Sequence, residues 1–157
     1  MISMSSKASD AIASVFPRVL EEQTFLFADP SDLNFAAGPP REAVCVSITF
    51  SGANAGKLEM GISATLGREI ARNLLEIEPG EEPSDSAAQD ALRELLNVTC
   101  GNILTEMAGD KPVFNLSLPQ IEPIDAKAWK KLISDPGASI YEVENQPVVL
   151  RLIGHDT

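Results

Sequence analysis

Apolar residues recur at helical spacing at Ile12, Val15, Phe16 and Val19, which predicts a helix over residues 8–20 that Pro17 ends or kinks. Residues 24–28 read as a short strand, and residues 30–40, rich in turn formers, as a loop. Strict alternation follows. Val44, Val46, Ile48 and Phe50 share one side of residues 43–50, and Leu58, Met60 and Ile62 share one side of residues 57–62. With the Gly- and Asn-containing turn 51–56 between them, these runs predict an antiparallel hairpin. The period then becomes helical over residues 64–76, with Leu66, Ile70 and Leu74 on one stripe, before an acidic Pro-Gly linker at 78–85.

The next helix is the clearest element. Ser86 and Gln89 fit a capping box at its start, and Gly109 followed by Pro112 fits its stop. Beyond it, residues 114–118 alternate up to Pro119, residues 125–133 suit a short helix, and 139–144 with 147–153 suit a closing hairpin around Asn145-Gln146. Helix, strands, helices, strands in that order predict an α+β fold, a mostly antiparallel sheet packed against two long helices. The expected organisation is a single domain over residues 1–157, with its core at about residues 43–153.

Composition narrows the function. The chain has 157 residues, 44% of them hydrophobic, and a formal net charge of -11 from 12 Lys+Arg against 23 Asp+Glu. Such a surface repels phosphate backbones and anionic lipid, so nucleic-acid and membrane-surface binding are poor expectations. No apolar run nears the roughly 20 residues that span a bilayer, and no signal-peptide core follows Met1, so the expected location is cytoplasmic. Cys45 and Cys100 lie far apart in apolar surroundings, as buried free thiols would. The single histidine, His155, sits where a frayed tail is expected, which leaves no His-based zinc cluster and little room for a Ser-His-Asp or Cys-His site. No Gly-rich phosphate loop joins a strand to a helix. Asn97-Val98-Thr99 fits a glycosylation pattern, which in a cytoplasmic protein is chance.

On a wheel of about 100° per residue, with Asp90 at zero, Glu94 falls near +40°, Asn97 near -20° and Gly101 near +20°. One narrow face thus carries two carboxylates, a carboxamide and a bare glycine. The opposite face holds Ala88, Leu92, Leu95, Leu96, Thr99 and Ile103; Glu106 falls on that side too, where fraying of the last turn would have to free it. Glycine inside a helix costs about 1 kcal/mol against alanine. Either packing within the fold or the close approach of another backbone could offset that cost at Gly101. The polar face alone is compatible with plain solvation. As chemistry, Asn97 cannot be a general base but can hold a water, and Glu94 can pair with a cation on a partner. Such a pair suits hydrolysis of a bond already activated elsewhere, with a partner supplying any metal.

The string DALRELLNVTCGN at residues 90–102 resembles the signature helix of the CheC/CheX/FliY phosphatases, which runs from Asp or Ser through Glu and an Asn three residues on to Gly-Asn. Asp90, Glu94, Asn97, Gly101 and Asn102 match it. Asn115-Leu116-Ser117-Leu118-Pro119 is similar to the family's strand ending in proline, and the resemblance covers about residues 43–123. Bare Glu-x-x-Asn spacing is weak, since it recurs at Glu142 and Asn145, where strand pairing would turn the two to opposite sides; Glu69 and Asn73 share a helix face at the wrong spacing.

The resemblance implies dephosphorylation of a CheY-like response regulator. Asn97 would orient the water and Glu94 would pair with the receiver's lysine. Asp90, Gly101 and Asn102 would meet the partner. The chain would bind no cofactor, Mg2+ being held by the receiver. One motif copy makes the chain most like CheX and implies a homodimer. The alternatives are a non-catalytic docking module of the same fold, for a regulator or a chemotaxis or flagellar partner, and more remotely a small-molecule sensor.

Overall fold

The computed structural model describes residues 4–31 and 39–155. Helix α1 spans Met4–Thr24 and outruns the predicted 8–20 at both ends. Pro17 does not end it. The carbonyl that proline leaves without a donor belongs to Ala13, which is exposed and open to water. An internal proline costs about 3 kcal/mol. Burial of Ile12, Val15, Phe16, Val19 and Leu20 outweighs this at roughly 1.5–3 kcal/mol per large side chain.

The strand expected at residues 24–28 is not formed. Thr24 is the last residue of α1; its buried hydroxyl donates to the Leu20 carbonyl (2.7 Å) and accepts from the Leu26 amide (3.2 Å). Pairing starts only at β1, Asp29–Pro30. Most of the 30–40 loop lies outside the described residues.

The predicted hairpin is β2 (Ala43–Gly52) against β3 (Ala55–Ser63), with Val46 opposite Met60 and Ile48 opposite Leu58. Ser63 caps α2 (Ala64–Leu74) by accepting from the Leu66 amide. Helix α3 spans Asp85–Ala108. Strands β4 (Phe114–Leu116) and β5 (Gln120–Pro123) both pair antiparallel with β2. Residues 117–119 lie across from Ile48 and Thr49 alone, so this edge carries a one-residue bulge at which Leu118 is 87% exposed. The run predicted at 114–118 therefore stops at Leu116, and β5, with a single apolar residue inside it, has no alternation of its own to announce it.

Helix α4 (Ala126–Ile133) starts at Asp125, whose side chain accepts from the Ala128 amide. The closing hairpin joins β6 (Ser139–Val143) to β7 (Gln146–His155). Val143 pairs with Gln146, so the turn residues are Glu144 and Asn145, with φ of 51° and 64°. The turn sits one residue earlier than predicted, because a two-residue hairpin turn of this kind needs both central residues at positive φ. Asn145 is thus in the turn, so the expected strand alternation with Glu142 does not apply there. His155 is the last strand residue, opposite Ala55, rather than part of a frayed tail.

The sheet order is β1-β6-β7-β3-β2-β4, with β5 beside β2 and every pairing antiparallel. The α+β expectation holds, α1 and α3 being the two long helices. They pack with α2 on one face of the sheet, over a core that includes Ile48, Leu58, Met60, Leu66, Leu95 and Leu150. On the other face α4 sets Trp129 and Leu132 against Ala43 and Val149. Gly61 lets it do so. A Cβ there would stand 2.7 Å from Leu132 and 2.9 Å from Trp129. Among the described residues no helix is long and apolar enough to cross a membrane.

Candidate functional site

The site is built on α3. Its N-cap is Ser84, extended at φ -66° and ψ 161°, whose hydroxyl accepts from the Ala87 amide (3.1 Å). The predicted box at Ser86 and Gln89 is not used; both residues lie inside the helix, which starts earlier with Asp85 favourably placed in the first turn. The predicted stop is used. Gly109 takes φ 84° and donates to the Thr105 carbonyl (2.8 Å). Between these ends the helix is unbroken, so the wheel positions read from sequence apply along it.

Ala88, Leu92, Leu95, Leu96, Thr99 and Ile103 are all buried, and Ala91, Cys100 and Leu104 widen the stripe. Thr99 disposes of its hydroxyl within the helix, donating to the Leu95 carbonyl (2.7 Å). Glu106 needs no fraying. It lies at the seam with α1, exposed, and accepts from the Ser14 hydroxyl (3.2 Å).

On the outer face Glu94 is exposed and Asn97 half-buried. Among the described residues neither side chain is engaged in a hydrogen bond or ion pair, so both are free to act outward. Asp90 is engaged. Arg93, one turn on, donates to its carboxylate (2.8 Å), an exposed pair worth at most about 1 kcal/mol and readily exchanged for an outside partner. Asn102 sits on the flank toward α1, not in line with the other four. Its amide donates to the Val98 carbonyl (2.8 Å) and accepts from Arg18 of α1 (3.5 Å).

At Gly101 the first of the two readings, packing within the fold, is not met. A Cβ there would meet nothing within 4 Å among the described residues, so no packing inside the fold requires glycine. Beside it a groove of about 220 Å³ runs between α3 and the β4 edge, lined by Gly101, Leu104, Thr105, Phe114 and Leu116. What the bare backbone leaves open is access from outside.

The sequence profile described as chemotaxis phosphatase CheX matches residues 44–126, just over half of the chain. The chain belongs to the CheX family. The match takes in β2, β3, α2 and α3 and agrees with the span of the sequence resemblance. Solved structures share the fold at low identity. CheX from Vibrio vulnificus is 15% identical with a TM-score of 0.71, covering 98% of this chain and 99% of that one. CheX from Borrelia burgdorferi, solved as a CheX–CheY–BeF3–Mg2+ complex, is 18% identical with a TM-score of 0.60, covering 99% and 100%. FliY from Thermotoga maritima is 16% identical with a TM-score of 0.58, covering 99% and 93%. No curated protein matches the chain by sequence at a significant level.

In this CheX-family chain the remaining reactive groups are turned away from the site. Cys100 adjoins Gly101 in sequence but faces the core, where burial pushes its thiol up to about 12; burial likewise raises Cys45 to about 11. Both stay protonated at neutral pH and are poor nucleophiles. Among the described residues no three His, Cys, Asp or Glu side chains come together as a metal site would require. Sequence reasoning missed Arg18 and Arg93, which bring positive charge to the rim of an acidic face. Arg93 could have been found from its spacing of three from Asp90. Arg18 could not, since only the packing of α1 on α3 brings it there.

Proposed function

We propose that this chain hydrolyses the aspartyl phosphate of a CheY-like receiver domain. The observation that carries the proposal is the pair Glu94 and Asn97, one turn apart on the open face of α3, both unengaged within the fold of a CheX-family protein. The carboxamide of Asn97 accepts from and donates to one water and holds it in line with the phosphorus. Water oxygen bonds to phosphorus as the bond from phosphorus to the acyl oxygen breaks. The electron pair leaves with the aspartate, and the water's proton passes to phosphate or solvent. An aspartate leaving group has an ordinary pKa of about 3.9 and departs without a general acid, so a chain with no free His or thiolate at its site suffices.

Glu94 pairs with the receiver's lysine across the interface and sets the register. Asp90 and Gly101 form the docking rim, with Asn102 holding Arg18 at its edge. Mg2+ belongs to the receiver, and this chain holds no cofactor. The resemblance further implies a two-fold homodimer with one active helix per subunit, to which the exposed Val113 and Leu118 near the sheet edge offer apolar surface; sedimentation at varied concentration tests that state.

Replacing Asn97 by Ala is expected to slow phosphate release from a phosphorylated receiver at least tenfold, or ~1.4 kcal/mol of transition-state stabilisation, with receiver binding retained. Binding by the wild type without any phosphate release would make the chain a docking module instead.

A further inference from the structure

A second surface lies where α1 and α2 end together. The Asn73 amide of α2 donates to the carbonyl of Thr24, the last residue of α1 (2.8 Å), so the two helix C-termini converge. Each such end carries about half a negative charge. The last turn of α1 has no basic residue and holds Glu21 and Glu22, the latter in an exposed pair with Arg18 one turn back (3.8 Å). The last turn of α2 has Arg72, already committed to Glu69 and Glu82. Between the two ends opens a groove of about 400 Å³, with Phe25, Ile77 and Pro79 as its apolar lining and Glu76, Glu78 and the already paired Arg72 as its charged one.

Phe25 is costly where it stands. Its φ is 61°, the left-handed region that glycine enters freely and a bulky residue does not. The residue is 76% exposed, so burial does not repay the strain. The turn itself is explained, because Thr24 anchors it and Leu26 is buried beyond it. That a phenylalanine makes the turn is not. Glu76, at φ 52°, lines the same groove in the same unfavourable conformation. Two strained residues present an aromatic face and a carboxylate to one opening.

We infer that this groove binds a basic amphipathic segment of a partner protein. Aliphatic side chains of the segment cover Phe25 and Ile77. Its Arg or Lys side chains meet Glu76, Glu78 and the two negative helix ends, with Phe25 available to a guanidinium through its ring face. The same carboxylates repel an anionic lipid surface.

The test is an NMR titration of the full chain with a short amphipathic peptide of leucine and arginine, and with its leucine and glutamate counterpart. The expected result is saturable shifts of Phe25, Glu76 and Ile77 with the arginine peptide alone, weakening as salt is added. Phe25→Gly should keep or raise Tm while lowering affinity at least tenfold, and Glu76→Lys/Glu78→Lys should lower affinity in a folded protein. Shifts elsewhere, equal binding of both peptides, or a Phe25→Gly variant of lowered Tm would overturn the inference. So would groove shifts that follow protein concentration without peptide, which would assign the surface to a second copy of the chain.

Discussion

Gly101 offers a test in which stability and activity move in opposite directions. Nothing in the described fold touches the place its side chain would occupy, so Gly101→Ala should gain the usual helix-interior increment of about 0.5–1 kcal/mol, read as a raised denaturation midpoint. If a receiver closes on that backbone, the added methyl should slow its dephosphorylation. A raised midpoint with an unaltered rate would remove Gly101 from the docking face. Spacing on the wheel was enough to put Asp90, Glu94, Asn97 and Gly101 on one face. It could not tell whether a neighbour filled the space over the glycine, nor that Asn102 turns to Arg18, because both depend on where α1 packs.

Gly61 shows the opposite case at the scale of elements. Trp129 and Leu132 of α4, with Val149 of β7, stand within 2.9 Å of where its Cβ would lie. Gly61→Ala should therefore cost roughly 1–3 kcal/mol by forcing α4 off the sheet, measured by urea denaturation. An unchanged midpoint would mean that α4 is not held against β3. The elements legible in the sequence were those with one buried face. Alternation in β2 and β3 and the helical stripes of α2 and α3 follow directly from burying Val46, Met60, Ile70 and Leu95. The false strand at 24–28 and the unseen β5 share one cause. Each has too few alternating positions to decide between an extended loop and a paired edge, and the neighbouring strand settles the matter.

At the scale of the whole molecule, acid should weaken the fold through Asp135. This carboxylate accepts from the Gly137 amide (2.7 Å) and from Arg151 (2.7 Å), and these bonds hold its pKa below the ordinary carboxylate range. Arg151 also binds Glu59, so the group ties β7, β3 and the turn after α4 together. A carboxyl whose folded pKa is depressed stabilises the protein above its unfolded pKa, and that contribution is lost as pH falls through the folded value. Asp135→Asn should accordingly lower stability at neutral pH and flatten its decline in acid. A parallel pH profile for variant and wild type would show that the carboxylate contributes nothing by its charge. The comparison is needed because the net charge of -11 acts the other way, self-repulsion easing as carboxylates protonate.

Phosphate release from a phosphorylated CheY-like receiver with Mg2+, measured with the wild-type chain and with Glu94→Ala/Asn97→Ala, shows whether α3 carries the chemistry. Rapid release with the wild type and no more than the spontaneous rate with the double variant is the predicted result. Release by the double variant at the wild-type rate would contradict the assignment of the chemistry to the outer face of α3.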